Sequence, residues 1–165
     1  MVISKDFEGS LKEFTEGRNP DVSKGIDLGI KIEKMGIEFY DKAAEKSDGA
    51  KHMFKFLAGQ EREHLALLNN LKSVLVRNGD WTKPSMLNNK PPKIFKNDKK
   101  TNYEISAILD ALEREKMSEK FYENFSKRIK DAKGKKFFKK MAEFERRHIE
   151  LLSGLADFGG FRMQS

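Results

Sequence analysis

Two segments of the sequence each place a glutamate and a histidine three residues apart within an otherwise apolar helical pattern. They are Glu61 to His64 and Glu145 to His148. On an α-helix, residues i and i+3 lie on the same face about one turn apart. A carboxylate buried on such a face is costly unless a partner compensates its charge. Each segment can therefore direct an oxygen and a nitrogen toward one point, which is the geometry of a metal site.

The two segments belong to an internal duplication. An offset of 82 residues aligns the halves before the hairpin turn, and an offset of 84 aligns them after it. The aligned pairs are Glu33 with Glu115, Tyr40 with Tyr122, Glu61 with Glu145, and His64 with His148. A repeat this consistent indicates that one supersecondary unit occurs twice in the chain.

Hydrophobic periodicity predicts three helices over about residues 22–47, 51–77 and 103–129. A fourth should follow a turn at 131–134, fray at Gly154 and stop at residues 159–160. Within each half the connection is short, which forces two successive helices into an antiparallel hairpin. Residues 78–102 contain Gly79 and three prolines without periodicity, so they predict a long crossover between the hairpins. The second and third helices should then run parallel.

The predicted fold is therefore all-α, a four-helix bundle of two antiparallel hairpins joined by the crossover. We expect one domain over residues 21–158, an N-terminal extension over 1–20 and a C-terminal tail over 159–165. We also predict that Trp81 of the crossover covers one face of the bundle.

Composition narrows the chemistry available to the chain. There is no cysteine, which excludes disulfides, thiolate metal sites and cysteine nucleophiles, so any metal must be held by carboxylate and imidazole. The net charge is +7, but the mixing of lysine with glutamate along most helices is typical of solvated faces and argues against nucleic acid as the main partner. The sequence shows neither an apolar signal core nor a transmembrane stretch, which predicts a cytoplasmic protein without a membrane partner.

Glu33 and Glu61 lie at similar sequence distances from the first hairpin turn, and Glu115 and Glu145 do so around the second. The pattern therefore predicts one buried layer of four carboxylates and two imidazoles, able to hold two divalent metal ions. By contrast, His52 has no such context and is expected at the surface. We expect Met53, Phe54, Phe137 and Met141 to be core residues rather than ligands.

The doubled Glu and Glu-x-x-His pattern over about residues 22–157 resembles the ferritin-like di-iron carboxylate family. A tyrosine seven residues after Glu33 and after Glu115 makes it most similar to the rubrerythrin branch. The resemblance implies that Glu33 and Glu115 are carboxylate ligands, that Glu61 and Glu145 bridge the metals, and that His64 and His148 each ligate one. It also makes Tyr40 and Tyr122, about two turns beyond their glutamates, candidate catalytic side chains that lie either beside the ligands or in the core, with hydroxyls that need buried partners.

That resemblance implies two iron ions, with manganese or a mixed centre as the alternative, and a homodimer. It implies a non-haem di-iron oxidoreductase that reduces hydrogen peroxide in oxidative-stress defence, with peroxide or O₂ as the oxidant. The alternative is a ferroxidase or iron-storage protein of the same class. The expected discriminator is assembly, since a hollow multimer with many irons per chain favours storage.

The sequence departs from the rubrerythrin pattern in two places. Rubrerythrins carry a cysteine-ligated rubredoxin domain, so this cysteine-free chain would need a separate electron-donor protein. They also carry a further glutamate three residues after the third-helix ligand, where this chain has Ser118. Glu119 could replace that carboxylate or could instead pair with Lys116 or Lys120.

Overall fold

The computed structural model describes residues 22–78, 90–92 and 101–157. The predicted extension, the tail and most of the crossover, including Trp81, lie outside these residues. Within them the chain forms four helices: α1 (Val22–Glu45), α2 (Lys51–Asn78), α3 (Asn102–Arg128) and α4 (Ala132–Asp157). The prediction of an all-α four-helix bundle is confirmed, and the predicted bounds of the first three helices lie within about two residues of the observed ones.

The second hairpin turn is tighter than predicted. We expected residues 131–134 to form the turn, but α4 already begins at Ala132. The Asp131 carboxylate accepts a hydrogen bond from the backbone N–H of Gly134 at 2.8 Å, so it caps the first turn of α4. Gly134 is therefore a helical residue, because a local cap satisfies its N–H. The helix also continues through Gly154, where the sequence predicted fraying.

Contacts between the hairpins fix the helix directions. Tyr40 contacts Glu115, whereas Tyr122 contacts Glu33, so α1 and α3 are antiparallel. Each of these helices is also antiparallel to its own hairpin partner, because the connections are short. It follows that α2 and α3 run parallel, as predicted. The end of α2 and the start of α3 therefore lie at opposite ends of the bundle.

Two apolar clusters, each built from all four helices, fill the bundle. One lies toward the α3–α4 turn and contains most of the aromatic rings, including Phe121, Phe125, Phe137 and Phe138. The other lies toward the α1–α2 turn and is largely aliphatic, with Leu57, Ile108, Leu112 and Leu152. The predicted core residues Met53, Phe54, Phe137 and Met141 are all buried. The polar residues of the duplicated motif lie in the layer between the two clusters.

A buried glutamate ties the two hairpins together near the α1–α2 turn. The Glu104 carboxylate accepts hydrogen bonds from the backbone N–H groups of Gly49 at 2.9 Å and Ala50 at 3.1 Å, at the start of α2. It also accepts from the backbone N–H of Thr101, whose hydroxyl in turn accepts from Glu104 N–H, which completes a capping box. One carboxylate therefore caps the N-termini of two helices from different hairpins.

Candidate metal centre

All four helices contribute side chains to one buried polar layer. The helices α1 and α3 each supply one glutamate, and α2 and α4 each supply a glutamate and a histidine one turn later. The six predicted ligands are each at most 3% exposed: Glu33, Glu61, His64, Glu115, Glu145 and His148. The fold thus brings together every side chain that the duplicated pattern singled out.

The six residues form two overlapping groups of metal-ligating atoms. In the first group, Glu33, Glu61, His64 and Glu145 each offer an atom, and all four atoms lie within 4.8 Å of one another. In the second group the same holds for Glu61, Glu115, Glu145 and His148. Glu61 and Glu145 belong to both groups. Each group also has a histidine and a glutamate of its own, so the arrangement suits two adjacent cations that share two carboxylates.

The spacing of the donor atoms matches a coordination sphere. The Nδ1 atom of His64 lies 3.3 Å from a carboxylate oxygen of Glu61, 3.3 Å from one of Glu145 and 3.4 Å from one of Glu33. Two ligand atoms at about 2.1 Å from one cation lie roughly 3.0 to 3.4 Å apart in octahedral or tetrahedral geometry. One imidazole N–H cannot donate to three carboxylates, whereas one cation can bind all of these atoms.

The second histidine repeats this arrangement on the other side of the layer. Its Nδ1 atom lies 3.2 Å from an oxygen of Glu115, 3.3 Å from one of Glu61 and 3.4 Å from one of Glu145. The rings of His64 and His148 face one another with centroids 5.2 Å apart and planes inclined by 19°. Two equivalent nitrogen donors are therefore held side by side.

The layer is poorly compensated by hydrogen bonds within the described part of the chain. There, Glu33 Oε2, both carboxylate oxygens of Glu145 and both ring nitrogens of His64 are buried without a hydrogen-bond partner. Buried polar atoms of this kind are rare and call for a compensating group. Four ionised carboxylates carry a charge of about −4, which two divalent cations would neutralise. The donor set therefore fits a pair of divalent metal ions.

Burial perturbs the terminal carboxylates strongly. Burial, together with the neighbouring Glu61, raises the pKa of Glu33 to about 8. Burial also raises the pKa of Glu115 to about 7, although His148 partly opposes the shift. Both groups would favour protonation without a positive charge nearby. A cation at the centre would supply that charge and keep the carboxylates ionised.

The two histidines and the shared carboxylate of Glu145 instead have pKa shifts that favour their charged forms. Burial lowers the pKa of each imidazole, but the surrounding carboxylates, led by Glu145 for His64 and Glu115 for His148, raise it well above its ordinary range. Burial and Glu33 raise the pKa of Glu145, yet the two histidines lower it more, so the net shift is downward. Without a cation the histidines are thus the groups that take up positive charge.

Two buried tyrosines hold the terminal glutamates from the opposite hairpin. The Tyr40 hydroxyl on α1 donates to Glu115 on α3, and the Tyr122 hydroxyl on α3 donates to Glu33 on α1. Burial and these carboxylates raise the pKa of both phenols well above their ordinary range, which keeps them protonated donors. Each hydroxyl therefore contacts one of the predicted ligands, and both tyrosines lie directly beside the layer.

The surroundings of the layer break its two-fold repetition. The ring of His64 stacks on Phe144, with centroids 5.4 Å apart and planes inclined by 13°. The residue that corresponds to Phe144 in the first hairpin is Gln60, a buried polar side chain. Ser118 is buried as well, and its counterpart Gly36 lies against the Glu61 side chain. The ligands are duplicated, but their environments are not.

Residues that flank the motif point away from the layer. Arg62 pairs with Asp41 at 2.6 Å on the exposed surface, and His52 is exposed, as expected. Glu119 accepts from Arg146 of α4 at 2.7 Å. This contact differs from both of the sequence-based alternatives for Glu119, which were a substitute ligand and a pair with Lys116 or Lys120. The acidic side chain of Glu119 therefore pairs with a cation of the adjacent helix.

Sequence reasoning missed the role of Thr101 and Glu104. These residues fit the Thr-x-x-Glu capping signature, which could have located the start of α3. The second role of Glu104, as a cap for α2, depends on the packing of the two hairpins and leaves no local signal.

Among the described residues, no helix is both long enough and apolar enough to cross a membrane.

Comparisons with known proteins place the fold but not the activity. No protein-family model and no curated protein sequence matches the chain. A solved structure, the hypothetical protein Pfu-1136390-001 from Pyrococcus furiosus, is similar with a TM-score of 0.64 and 23% sequence identity. The similarity covers 87% of this chain and 94% of that chain. At this identity it shows a shared fold alone.

Proposed function

We propose that this chain binds two iron ions in the buried layer and reduces hydrogen peroxide, as a rubrerythrin-like member of the ferritin-like di-iron carboxylate class. The observation that carries the proposal is the pair of four-residue ligand groups that share Glu61 and Glu145. Shared carboxylates hold two metal ions close together, and a paired redox metal is suited to a two-electron substrate. We extend the proposal to O₂ as a slower alternative oxidant.

The ligand types support iron. Four carboxylates and two imidazoles form a mixed oxygen and nitrogen set that suits iron or manganese and offers no soft sulfur ligand. When bound, a di-iron centre supplies two electrons for cleavage of the peroxide O–O bond. The balanced reaction consumes two electrons and two protons for each peroxide and releases two molecules of water. In this cysteine-free chain, a separate electron-donor protein would return those electrons.

The protein's own residues would position and protect the centre. Tyr40 and Tyr122 hold the terminal carboxylates in orientation through their hydroxyl groups. The apolar clusters on both sides of the layer exclude bulk water, which strengthens electrostatic interactions within it. Ser118 occupies the position at which rubrerythrins carry an additional glutamate, so the centre would operate with six protein ligands.

The first test is metal content. Protein purified without added metal, then loaded anaerobically with Fe(II), should retain two irons per chain after desalting. The Glu61→Ala variant should lose them, whereas Glu63→Ala should retain them. The control residue lies on the same turn of α2 but accepts from Gln60 at 3.4 Å and lies outside both ligand groups. Equal metal content in the two variants would contradict the proposed site.

The second test is reactivity. The reduced iron-loaded protein should be oxidised by peroxide in an anaerobic stopped-flow experiment, faster than by O₂ at equal concentration. Absence of oxidation on the turnover timescale would eliminate the peroxidase proposal. A hollow assembly that accumulates many irons per chain would instead favour the ferroxidase or storage alternative. A dimer, which is the proposed oligomer, with two irons per chain would support redox catalysis.

A further inference from the structure

The end of the bundle at the α3–α4 turn has a concentrated net positive charge. Residues 123–143 contain eight basic and three acidic side chains, for a net charge of +5. The corresponding residues 41–59 of the first hairpin contain four basic and three acidic side chains, for a net charge of +1. The duplication has therefore kept the fold at both turns but made only one of them strongly basic.

Lysines at this end surround an open cleft between α3 and α4. The cleft has a volume of about 410 Å³ and is lined by Ser126, Ala132 and the side chains of Lys127, Lys135, Lys136 and Lys139. All four lysines are exposed. Lys127 pairs with Glu123 at 3.1 Å, which leaves the cleft basic after that pair is counted. A concave surface of one charge sign favours a partner of the opposite sign.

A buried series of aromatic rings runs from this end of the bundle to the layer of candidate ligands. Phe138 lies 4.3 Å from Phe125 between ring centroids, and it stacks on Tyr122 at 6.2 Å. The Tyr122 hydroxyl contacts Glu33, a terminal carboxylate of the layer. Phe137 and Phe138 lie within one turn of Lys135, Lys136 and Lys139 along α4, so the rings begin at the same end of the bundle as the cleft.

The other hairpin lacks this combination. The counterparts of Phe125 and Phe137 are Ala43 and Met53, so the ring series there is reduced to Tyr40 with Phe39 and Phe54. The basic cleft and the longer ring series thus occur at the same end. The cleft residues Lys139 and Lys135 precede Glu145 by six and ten residues, or roughly 9 and 15 Å along α4. Because electron tunnelling weakens steeply with distance, a redox partner docked at this cleft is well placed to transfer electrons to the layer of candidate ligands.

From this placement we infer that the cleft of Lys127, Lys135, Lys136 and Lys139 is the docking surface for an acidic one-electron carrier protein, whose electrons enter the metal centre from this end. The inference rests on the proposed function, which requires a supply of electrons. The choice of this surface rests on the charge and shape of the cleft. In each transfer the carrier is oxidised by one electron and one metal ion of the centre is reduced by one electron.

The test uses the full chain in its oxidised, iron-loaded form and reduced flavodoxin as an acidic one-electron probe. The variant is Lys135→Glu with Lys139→Glu, and the matched control is Lys51→Glu with Lys55→Glu. The control lysines are the counterparts of the first pair in the α1–α2 hairpin, so both double variants change the net charge equally. Circular dichroism and iron content check that both retain the fold and the metal.

Anaerobic stopped-flow mixing without peroxide measures electron transfer directly. We expect the second-order rate constant to fall at least about tenfold in the cleft variant, to fall less than about twofold in the control, and to decrease with salt in the wild type. Fluorescence anisotropy of labelled flavodoxin should show the same order of affinities. Equal effects of the two double variants, or no dependence on salt, would overturn the inference.

Two further outcomes separate this inference from its alternatives. Cleft-dependent binding of an oligonucleotide, together with unchanged electron transfer in the cleft variant, would overturn it in favour of a nucleic-acid surface. Failure of the reduced protein to react with peroxide would remove the proposed function. It would leave the docking result intact, because the flavodoxin experiments contain no peroxide.

Discussion

The two hairpins carry the same ligands in different surroundings. Glutamate, tyrosine, glutamate and histidine recur at equivalent positions, and all of them are buried. Around them, Ala43 and Met53 of the first hairpin correspond to Phe125 and Phe137 of the second. These large and small residues are accommodated by two separate apolar clusters, one largely aliphatic and one richer in aromatic rings. The charged layer is conserved between halves because its charges must compensate one another, whereas the packing around it can diverge if the volume is filled.

The largest expected effect distinguishes the shared glutamates from the terminal ones. Glu61→Ala or Glu145→Ala removes an atom from both ligand groups, so both metal ions should be lost. Glu33→Ala or Glu115→Ala removes an atom from only one group, and one metal ion should be retained. Each loss should exceed about 100-fold in affinity, because removal of a mere supporting partner already costs about 10- to 100-fold. Mass spectrometry of metal per chain after desalting measures this, and equal stoichiometry in all four variants would contradict the division of roles.

The next expected effect is the pH dependence of folding stability, which should have opposite signs in the metal-free and metal-loaded proteins. Folding raises the pKa of Glu33 to about 8 and that of Glu115 to about 7, so the metal-free folded state binds more protons than the unfolded state. The associated stability is present below about pH 4.5 and is lost as pH rises toward 8. The raised pKa values of His64 and His148 act in the same direction above about pH 6.5.

Thermal unfolding with chelator should therefore show stability that falls by on the order of a few kcal/mol between about pH 5 and 8. The lowered pKa of Glu145 acts in the opposite direction, but only below this range. The metal-loaded protein should instead gain stability over the same range, since metal binding requires deprotonated ligands. Parallel pH profiles with and without metal would contradict a metal site in this layer.

A smaller effect is expected from the tyrosines, and it should be equal in the two halves. Tyr40→Phe and Tyr122→Phe each remove one hydroxyl donor to a terminal glutamate while leaving the buried ring in place. The affinity of the corresponding metal ion should fall about 10- to 100-fold. Because the hydroxyls contact different glutamates, the effects in the double variant should be roughly additive. Competition with a chromophoric chelator measures both affinities, and a large effect in one half alone would show that the halves are not equivalent.

The sequence was sufficient to predict the elements that follow a period. The helix order, the antiparallel pairing and the convergence of Glu33, Glu61 and their counterparts all depend on the 3.6-residue repeat and on connection length. Contacts selected by three-dimensional packing were not predictable in this way. Glu119 could reach cations on its own helix, but it pairs with Arg146 of α4. The basic cleft was obscured for the same reason, because its lysines come from two helices and converge only when the turn forms.

The fourth prediction compares the caps of the two hairpins. Glu104 caps α2 from the opposite hairpin, whereas Asp131 caps α4 locally. Glu104→Gln should lower the free energy of unfolding by about 1–2 kcal/mol, because three backbone N–H donors lose a charged acceptor. Asp131→Asn should lower it by only about 0.5 kcal/mol, since asparagine is also a good N-cap. Urea denaturation measures both changes, and an equal loss would indicate that Glu104 does not join the hairpins.

This comparison also has a pH signature. Burial raises the pKa of Glu104, but the backbone donors of Thr101, Ala50 and Gly49 lower it more, so the net shift is downward. A depressed pKa in the folded state contributes stability above about pH 4.5 that is lost as pH falls through the folded value. The difference in stability between the wild type and Glu104→Gln should therefore shrink in acid. A difference that is constant from neutral pH to about pH 3 would exclude an ionised carboxylate as the cap.

The smallest effect is expected where a glycine in one half faces a serine in the other. A Cβ at Gly36 would lie 3.2 Å from both Cγ and Cδ of Glu61, a contact that requires the shared carboxylate to shift by a few tenths of an ångström. Without metal, Glu61 can move, and Gly36→Ala should stabilise the bundle by up to about 1 kcal/mol through helix propensity. With metal, Glu61 is fixed, and the affinity should fall by about tenfold, because the required shift is comparable to the roughly 0.5 Å within which a site must hold its ligands.

The reverse change in the other half, Ser118→Gly, should neither stabilise the bundle nor weaken metal binding. It should destabilise α3 by about 0.5 kcal/mol and leave metal affinity within about twofold, because it introduces no new atom near a ligand. Thermal unfolding in chelator and competitive metal titration separate the two quantities for each variant. If Gly36→Ala instead raised stability and preserved affinity, Glu61 would have room to adjust, and the glycine would be a difference between the halves without consequence for the metal layer. The opposite signs expected for stability and affinity in a single variant make this the most direct test of whether the halves diverged under constraint from the ligands.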